Sequence, residues 1–330
     1  MVTQASDRSE QDVEAALGRA ARAIANASRV TLVCHVNPDG DALGSTLGLH
    51  HVLRAAGVDS VASFPSPFVV APHYRELPGL DLLTPPQLVD LEPEVLVTFD
   101  CGSLDRLGEL ETSAKAAGEL VVVDHHASNE RYGTINVIDV DAAASGVLVR
   151  RLISRLDLPL TRDAAICLYA ALVCDTGRFQ YESTTCEVFG LAQELADYEL
   201  PISSLSRTLF EEHRFAYLQL VADVLGGAQL VPDKRFVWAK VTQEDLVRHD
   251  VSFEEVEGLI DLVRRTREAD VSCVLKEAAD GAWRVSLRSL GAVDVCKIAE
   301  REGGGGHRLA AGFTSDDPAD VVVGRILEAL

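Results

Sequence analysis

The chain reads as an α/β protein of two parts. An N-terminal domain with a mainly parallel sheet covered by helices is linked to a smaller α+β domain across a cleft. Three observations lead to this reading. Short apolar runs alternate with helical patterns through the first half, as strands buried on both faces do. These runs end at acidic or histidine residues: Val30–Cys34 at His35, Val95–Phe99 at Asp100, Leu120–Val123 at Asp124-His125-His126, and Leu168–Cys174 at Asp175. After about residue 199 the pattern changes to paired strands with a hairpin turn, and 330 residues suit two cores better than one.

Taken in order, residues 11–27 form an amphipathic pattern and precede the strand that stops at His35. A helix starts near Asp41 and runs to about Ala56, where Gly57 stops it. Val58–Phe64 is a strand broken by Pro65-Ser66-Pro67. The strands before Asp100 and Asp124 are separated by a helix over Asp105–Ala117, stopped by Gly118. Helices follow at 143–157, 161–173 and 184–198, and the domain boundary falls between about 199 and 215. Beyond it, strands are expected at Gln229–Val231, Arg235–Val241, Val271–Glu277 and Trp283–Ser289. Ala279-Asp280-Gly281 supplies the turn between the last two. Helices are expected at 253–266, 294–301 and 318–329.

Composition narrows the function classes. Hydrophobic residues make up 47% and mean hydropathy is +0.11, which excludes a disordered chain. No apolar run reaches the roughly 18 residues of a membrane span, and residues 1–10 lack the basic start and apolar stretch of a signal peptide. Seven cysteines without a C-x-x-C pair suit a reducing cytoplasm. Cys34 and Cys101 flank His35 and Asp100, but small buried strand residues are their commoner role. A net charge of −21 argues against long duplex nucleic acid as a partner. A short phosphorylated substrate stays compatible, because bound cations and a local basic cluster reverse the sign inside a cleft.

Open parallel sheets bind ligands at the carboxyl ends of their strands. Three of the four acidic and histidine clusters therefore converge on one edge, and Asp175 joins them from the end of what reads as a helix. So many carboxylates and imidazoles packed together push one another toward neutrality unless cations lie between them. Two divalent ions resolve the conflict, and the constellation points to a two-metal hydrolase. Asp39-Gly40-Asp41 before a helix also reads as an N-cap, the commoner role for that tripeptide alone. Ligation is favoured by the company of His35, Asp100, His125 and Asp175. In Asp124-His125-His126, one imidazole can ligate, its neighbour can donate to a phosphate, and Asp124 can orient an imidazole from behind. Carboxylate and imidazole without thiolate suit Mn²⁺ best, with Mg²⁺ or Co²⁺ as alternatives.

His35-x-x-x-Asp39-x-Asp41, Asp100, Asp124-His125-His126 and Asp175 resemble the four motifs of the DHH phosphoesterase superfamily, in order and at strand ends. Gly303-Gly304-Gly305-Gly306-His307 resembles the substrate-binding motif of the DHHA1 domain, and the layout resembles the nanoRNase and pAp-phosphatase group. The resemblance implies a DHH catalytic domain over 11–198, a linker over 199–214 and a DHHA1 domain over 215–330. It implies that His35, Asp39 and Asp100 hold one metal ion, and that Asp41, Asp100, His125 and Asp175 hold the other, with Asp100 bridging. It further implies that His126 contacts the scissile phosphate and that a metal-bridged hydroxide attacks it. The implied substrates are short oligoribonucleotides, 3′-phosphoadenosine 5′-phosphate (pAp), and linear or cyclic dinucleotides such as pApA and cyclic di-AMP. A homodimer is the family expectation.

In the second domain, the glycine run before His307 and Arg308 leaves backbone N–H groups to face an anion, although such a run also makes a flexible loop. Gly304, Gly305, Gly306, His307, Arg308 and Arg288 are the candidate substrate contacts. Arg264 and Arg267 share a helix face and form a weaker third cluster. Aromatics are only 5%, too few for an extended stacking platform. Phe64, Phe68, Tyr74 and Phe313 read as core first and base contacts second. Three alternatives share motifs with this reading: a family II inorganic pyrophosphatase, a RecJ-like exonuclease, and a non-catalytic nucleotide- or RNA-binding module. The glycine-rich block, the negative charge and the intact acidic set weigh against them in turn.

Overall fold

Val30, Leu32, Val33 and Cys34 are fully buried because the strand they form lies inside a sheet with both faces covered. The computed structural model describes residues 2–330, which divide into two compact units, one ending at Phe210 and the other running Glu211–Leu330. The first unit holds β1 (Arg29–Cys34), β2 (Asp59–Ser63), β3 (Val95–Phe99), β4 (Glu119–Asp124) and β5 (Ile135–Ile138), all parallel, in the order β2-β1-β3-β4-β5. Its helices are α1 (Val2–Asn26), α2 (Gly40–Ala55), α3 (Glu111–Ala116), α4 (Ser145–Arg155), α5 (Arg162–Asp175), α6 (Cys186–Ala196) and α7 (Ile202–Phe210). Alternate strand residues go to opposite faces. Leu32, Cys34, Val97 and Phe99 join the large core with Leu43, Leu47, Leu148 and Leu168, whereas Val33 and Leu96 pack with Leu107, Leu110 and Ala114.

The strand order decides where a ligand can sit. From β1 the chain crosses to β2 on one side, and β3 then returns to β1's other flank, so β1 and β3 are neighbours whose connections leave in opposite directions. That arrangement opens a crevice at their carboxyl ends. Cys34 pairs with Phe99 at the last rung, so His35 and Asp100 are the next residues out. Against this crevice α2 and α5 pack unusually close. A Cβ at Gly44 would lie 2.4 Å from the Cys167 carbonyl oxygen, and one at Gly48 would lie 2.9 Å from Leu168 Cδ2. Two glycines a turn apart thus let α5 carry Asp175 in against α2.

Several expectations need correction. The helix expected over Asp105–Ala117 is a 3-10 segment, Leu104–Leu110, followed by the short α3. Gly108, at φ 49° and against Pro65, breaks it. The strand β5 was not foreseen. Residues 199–214, expected as a linker, contain α7, which starts after Pro201 and buries Leu205 and Leu209 in the first unit's core.

The second unit opens with α8 (Phe215–Gly226), then β6 (Gln229–Val231), β7 (Phe236–Val241), α9 (Gln243–His249), α10 (Leu259–Val263), β8 (Val271–Glu277), β9 (Trp283–Ser289), α11 (Val295–Arg301), β10 (Gly305–His307), β11 (Ala310–Ser315) and α12 (Ala319–Ala329). The sheet order is β10-β11-β9-β8-β7-β6, antiparallel except for β7 with β8. One face, through Cys273, Leu287, Ala311 and Phe313, packs on α11 and α12. The other is covered only on its β7–β8 half, where Val237, Ala239 and Val274 pack on α8, α9 and α10. The helix expected over 253–266 is a 3-10 turn, Phe253–Val256, and the five-residue α10. Arg264 and Arg267 lie beyond α10 in turns and share no helix face, and Arg264 instead pairs with Asp261 at 3.2 Å. The sequence reading also lacked α8, α9, β10 and β11. Among the described residues no helix is long and apolar enough to cross a membrane.

The α2–α5 contact yields a stability test. Gly44→Ala should lower the urea unfolding midpoint by the equivalent of about 1–3 kcal/mol, since the new methyl meets backbone. Gly190→Ala in α6, whose Cβ meets open space, should gain about 0.5–1 kcal/mol from helix propensity. Equal midpoints for parent and Gly44→Ala would remove the close-approach argument.

Candidate active site and metal centre

The crevice at the ends of β1 and β3 gathers all eight acidic and histidine residues singled out in the N-terminal sequence. Asp39 caps α2, its Oδ1 accepting from the N–H groups of Asp41 (3.1 Å) and Ala42 (3.0 Å), so the N-cap reading is correct as well. Asp39 also groups with His35 and Asp100, their ligand atoms all within 4.8 Å of one another. Asp41, His125 and Asp175 form a second grouping of the same kind. Asp100 stands between the two: its Oδ2 is 3.5 Å from His35 Nε2 and its Oδ1 is 3.4 Å from His125 Nε2. The backbone there is left-handed, with Asp100 at φ 54°, a conformation held by its N–H donating to Val123 O at 3.0 Å.

Each imidazole is aimed by its other nitrogen. His125 Nδ1 lies 3.1 Å from Ala142 O, and His35 Nδ1 lies 2.8 Å from Val36 O. A carbonyl only accepts, so the first contact places a proton on His125 Nδ1, and in both rings Nε2 is directed at the carboxylates, the usual arrangement of ligating histidines. His126 is held differently. Its Nδ1 is 2.7 Å from Asp124 Oδ1, which also accepts from the backbone N–H groups of His125 and His126. Asp124 Oδ2 accepts from Asn129 Nδ2 at 2.5 Å, so this fully buried carboxylate is a support for the His126 ring. Its grouping with Asp100 and His126 is accordingly a hydrogen-bonded unit.

Sequence reasoning missed several supports. The N-terminus of α4 points at Asp41: Ser145 N donates to its Oδ2 at 2.6 Å and Gly146 N to its Oδ1 at 2.9 Å. Ser145 Oγ donates to Asp100 Oδ1 at 3.2 Å. Arg106 Nη2 approaches His35 Nδ1 at 3.0 Å. The run of small residues Ala142–Gly146 was the available sign of a close helix start. Nothing in the spacing marked Asn129 or Arg106.

The electrostatics show carboxylates in conflict. Burial, then the charges of Asp100 and Asp175, push the Asp41 carboxyl well above its ordinary range. Burial raises Asp175 to about 6, against the pull of His125. Asp100 goes the other way: burial opposes its charge, but His126, His125 and His35 hold it well below the usual range. Burial likewise opposes the charge of His125, yet Asp100 and Asp175 raise it well above an ordinary histidine. His126 is raised against burial by Asp100 and Asp124. The donor set fits hard divalent cations: carboxylate oxygens and imidazole nitrogens, with mutual repulsion that a cation relieves. Cys34 and Cys101 stand outside both groupings, and burial pushes their thiols up, that of Cys101 to about 12.

In the second unit, Arg288 and His307 are brought together. His307 pairs with Ala310, and Ala310 pairs with Arg288, so the two side chains share one sheet face on the half that no helix of this unit covers. Arg308 sits in the β10–β11 turn, donating from Nη2 to Gly291 O at 2.8 Å. The glycine run is not an open array of amides. Gly303 N and Gly304 N donate to Glu300 O and Ala299 O at the end of α11, and Gly305 and Gly306 enter the edge strand β10. A Cβ at Gly304 would lie 2.1 Å from Gly312 O, so strand approach explains that glycine. Phe64, Tyr74 and Phe313 are core residues, and Phe68 stacks on Phe64 with ring centroids 4.5 Å apart.

Protons and cations compete for Asp41 and Asp175, which fixes a pH dependence. In the metal-free chain the raised Asp175 carboxyl adds stability that is complete below its unfolded value near pH 4, and that is lost as pH rises through about 6. A cation binds the ionised form, so the rise in melting temperature produced by Mn²⁺ should be larger at pH 7.5 than at pH 5, and chelator should abolish it. Equal shifts at the two pH values would contradict the assignment.

The comparisons with known proteins agree with this geometry. Residues 29–172 match the model of the DHH family N-terminal domain, and residues 233–330 match the DHHA1 domain. The bifunctional oligoribonuclease and PAP phosphatase NrnA of Thermus thermophilus is 30% identical over 304 residues, covering 91% of this chain and 89% of the relative. Its namesake from Bacillus subtilis is 26% identical, covering 92% and 95%. The cyclic-di-AMP phosphodiesterase GdpP of Geobacillus thermodenitrificans is 26% identical over 93% of this chain but 47% of its own length. The crystal structure of an exopolyphosphatase-related protein from Bacteroides fragilis superposes with a TM-score of 0.85, at 25% identity, covering 96% of this chain and 95% of that one. With the acidic crevice of its first unit and the two domain matches in order, the chain belongs to the DHH family of phosphoesterases, in the branch that carries a DHHA1 domain.

Proposed function

We propose that the enzyme is a two-metal phosphoesterase that hydrolyses short oligoribonucleotides and pAp. The observation that carries the reading is Asp100, placed between the His35–Asp39 and Asp41–His125–Asp175 groups at the β1/β3 crevice. His35, Asp39 and Asp100 would hold one divalent cation, and Asp41, Asp100, His125 and Asp175 the other, with manganese the best match to the donors. Bound there, the ions supply Lewis acidity toward phosphoryl oxygens and bring the pKa of water toward neutrality. The protein's own work is positional and electrostatic. His126, which Asp100 and Asp124 favour as the imidazolium, keeps Nδ1–H on Asp124 and presents Nε2–H as the donor to a phosphoryl oxygen, absorbing charge that develops there. Arg288 and His307 bind the anionic substrate from the open sheet face.

The likeness to the NrnA proteins supports oligoribonucleotides and pAp as substrates, and the likeness to GdpP supports cyclic di-AMP as a further one, with linear dinucleotides such as pApA proposed from the family resemblance alone. The DHHA1 match weighs against the pyrophosphatase reading. The complete acidic and histidine set weighs against a pure binding module. Seven free cysteines support a cytoplasmic enzyme, and a homodimer is proposed from the family alone.

Two variant sets test this. Asp100→Asn should abolish Mn²⁺-dependent release of AMP from pAp and from di- to pentaribonucleotides while the fold is retained, and full activity would sink the shared-carboxylate scheme. Arg288→Ala and His307→Ala should raise KM about tenfold each, as the loss of a charge-assisted contact does, with kcat changed less. Unchanged saturation curves would take both out of the site. Cleavage of inorganic pyrophosphate alone would move the enzyme to the pyrophosphatase branch.

A further inference from the structure

We propose that Arg106 is a phosphate contact of this active site, held against His35 until a cation on that imidazole releases it; the proposal rests on the metal-dependent phosphoesterase reading above. Arg106 lies in the 3-10 segment Leu104–Leu110 that follows Asp100, and its carbonyl accepts from Val36 N at 2.9 Å, which fixes the residue beside the end of β1. Its guanidinium is half-buried next to a crowd of carboxylates, in a chain with 51 acidic and 30 basic residues. Yet it forms no ion pair among the described residues, whereas Arg29, Arg150, Arg151, Arg235 and Arg325 all do. Among the described residues the guanidinium's one hydrogen-bond contact is Nη2 to His35 Nδ1 at 3.0 Å, leaving most of its five N–H donors for something else.

That one contact is also in competition. His35 Nδ1 is 2.8 Å from Val36 O, a group that only accepts, and 3.0 Å from Arg106 Nη2, a group that only donates. Nδ1 must carry a proton to satisfy the first and be bare to satisfy the second, so both bonds cannot exist together. Ligation through Nε2 requires the single proton of a neutral imidazole on Nδ1. The Val36 carbonyl then keeps its partner and Arg106 loses its own. A planar guanidinium released at the rim of the crevice matches the non-bridging oxygens of a phosphate in a two-pronged contact. Metal loading and nucleotide binding are thereby coupled through one side chain that neither motif contains.

The test uses the full-length, Mn²⁺-loaded protein and the product AMP, which binds without turnover. Arg106→Gln should weaken AMP binding in calorimetry by about tenfold or more, while Mn²⁺ affinity without nucleotide, read by electron paramagnetic resonance, holds or rises because a donor that competes with ligation has been removed. Arg106→Lys, which keeps the charge but loses the fork and guards against a folding defect, should fall between parent and Arg106→Gln. Unchanged AMP affinity in Arg106→Gln would overturn the proposal. So would a loss of Mn²⁺ affinity in proportion to the loss of AMP affinity, since Arg106 would then only position His35. If the parent binds AMP and Arg288→Ala weakens it, failure at Arg106 leaves the functional reading standing. A parent that binds Mn²⁺ but no AMP would overturn both.

Discussion

The structure depends on holding Asp41, Asp100 and Asp175 within reach of the same imidazole, His125, in a place from which water is largely excluded. Charges of one sign in such surroundings repel strongly, and burial disfavours each of them separately. The protein answers with directed dipoles. The start of α4 gives two backbone N–H groups to Asp41, Ser145 gives a hydroxyl to Asp100, and the imidazoles lean on carbonyls so that their other nitrogens face the carboxylates. These supports do not remove the conflict, as the raised Asp41 and Asp175 carboxyls record. The residual repulsion is the physical basis for cation affinity, and the stability of the metal-free fold is its cost.

That constraint reaches well beyond the site. Asp175 arrives on the last turn of α5, and α5 can lie against α2 only because Gly44 and Gly48 offer no side chain. The left-handed backbone at Asp100 turns its carboxylate back toward β1 at the point where β1 and β3 part company. Asp124 is engaged by Asn129 and His126, so two neighbouring histidines of one motif have different partners. His125 turns its Nε2 to the carboxylates, and His126 rests its Nδ1 on Asp124.

The second unit is built differently, around a mixed six-stranded sheet. Its own helices cover one face of the sheet completely and the other by half, and the half they leave carries Arg288 and His307 on one rung, on either side of Ala310. The glycines before His307 serve mainly to bring β10 close to β11 after the end of α11.

The sequence by itself determined the α/β class, the strand ends and the identity of the residues that meet in the crevice, because apolar runs that stop at charged residues can satisfy burial in few ways. His35, Asp39, Asp41, Asp100, His125 and Asp175 were all legible from that pattern. It could not reveal α8, whose outward residues Phe215, Leu218 and Leu225 are as apolar as its buried ones and so carry no amphipathic stripe. It missed β10 because glycines have no strand propensity and pair there through backbone alone. It took 199–214 for a linker because a helix as short as α7 is fixed by the surface it buries rather than by its own propensity. Tertiary structure alone decided which nitrogen of each imidazole faces the carboxylates, that Asn129 shares Asp124 with His126, and that Arg106 stands beside His35 without a carboxylate of its own. The reason is directional: residue type fixes what a side chain can donate or accept, but only its neighbours across the fold decide toward what.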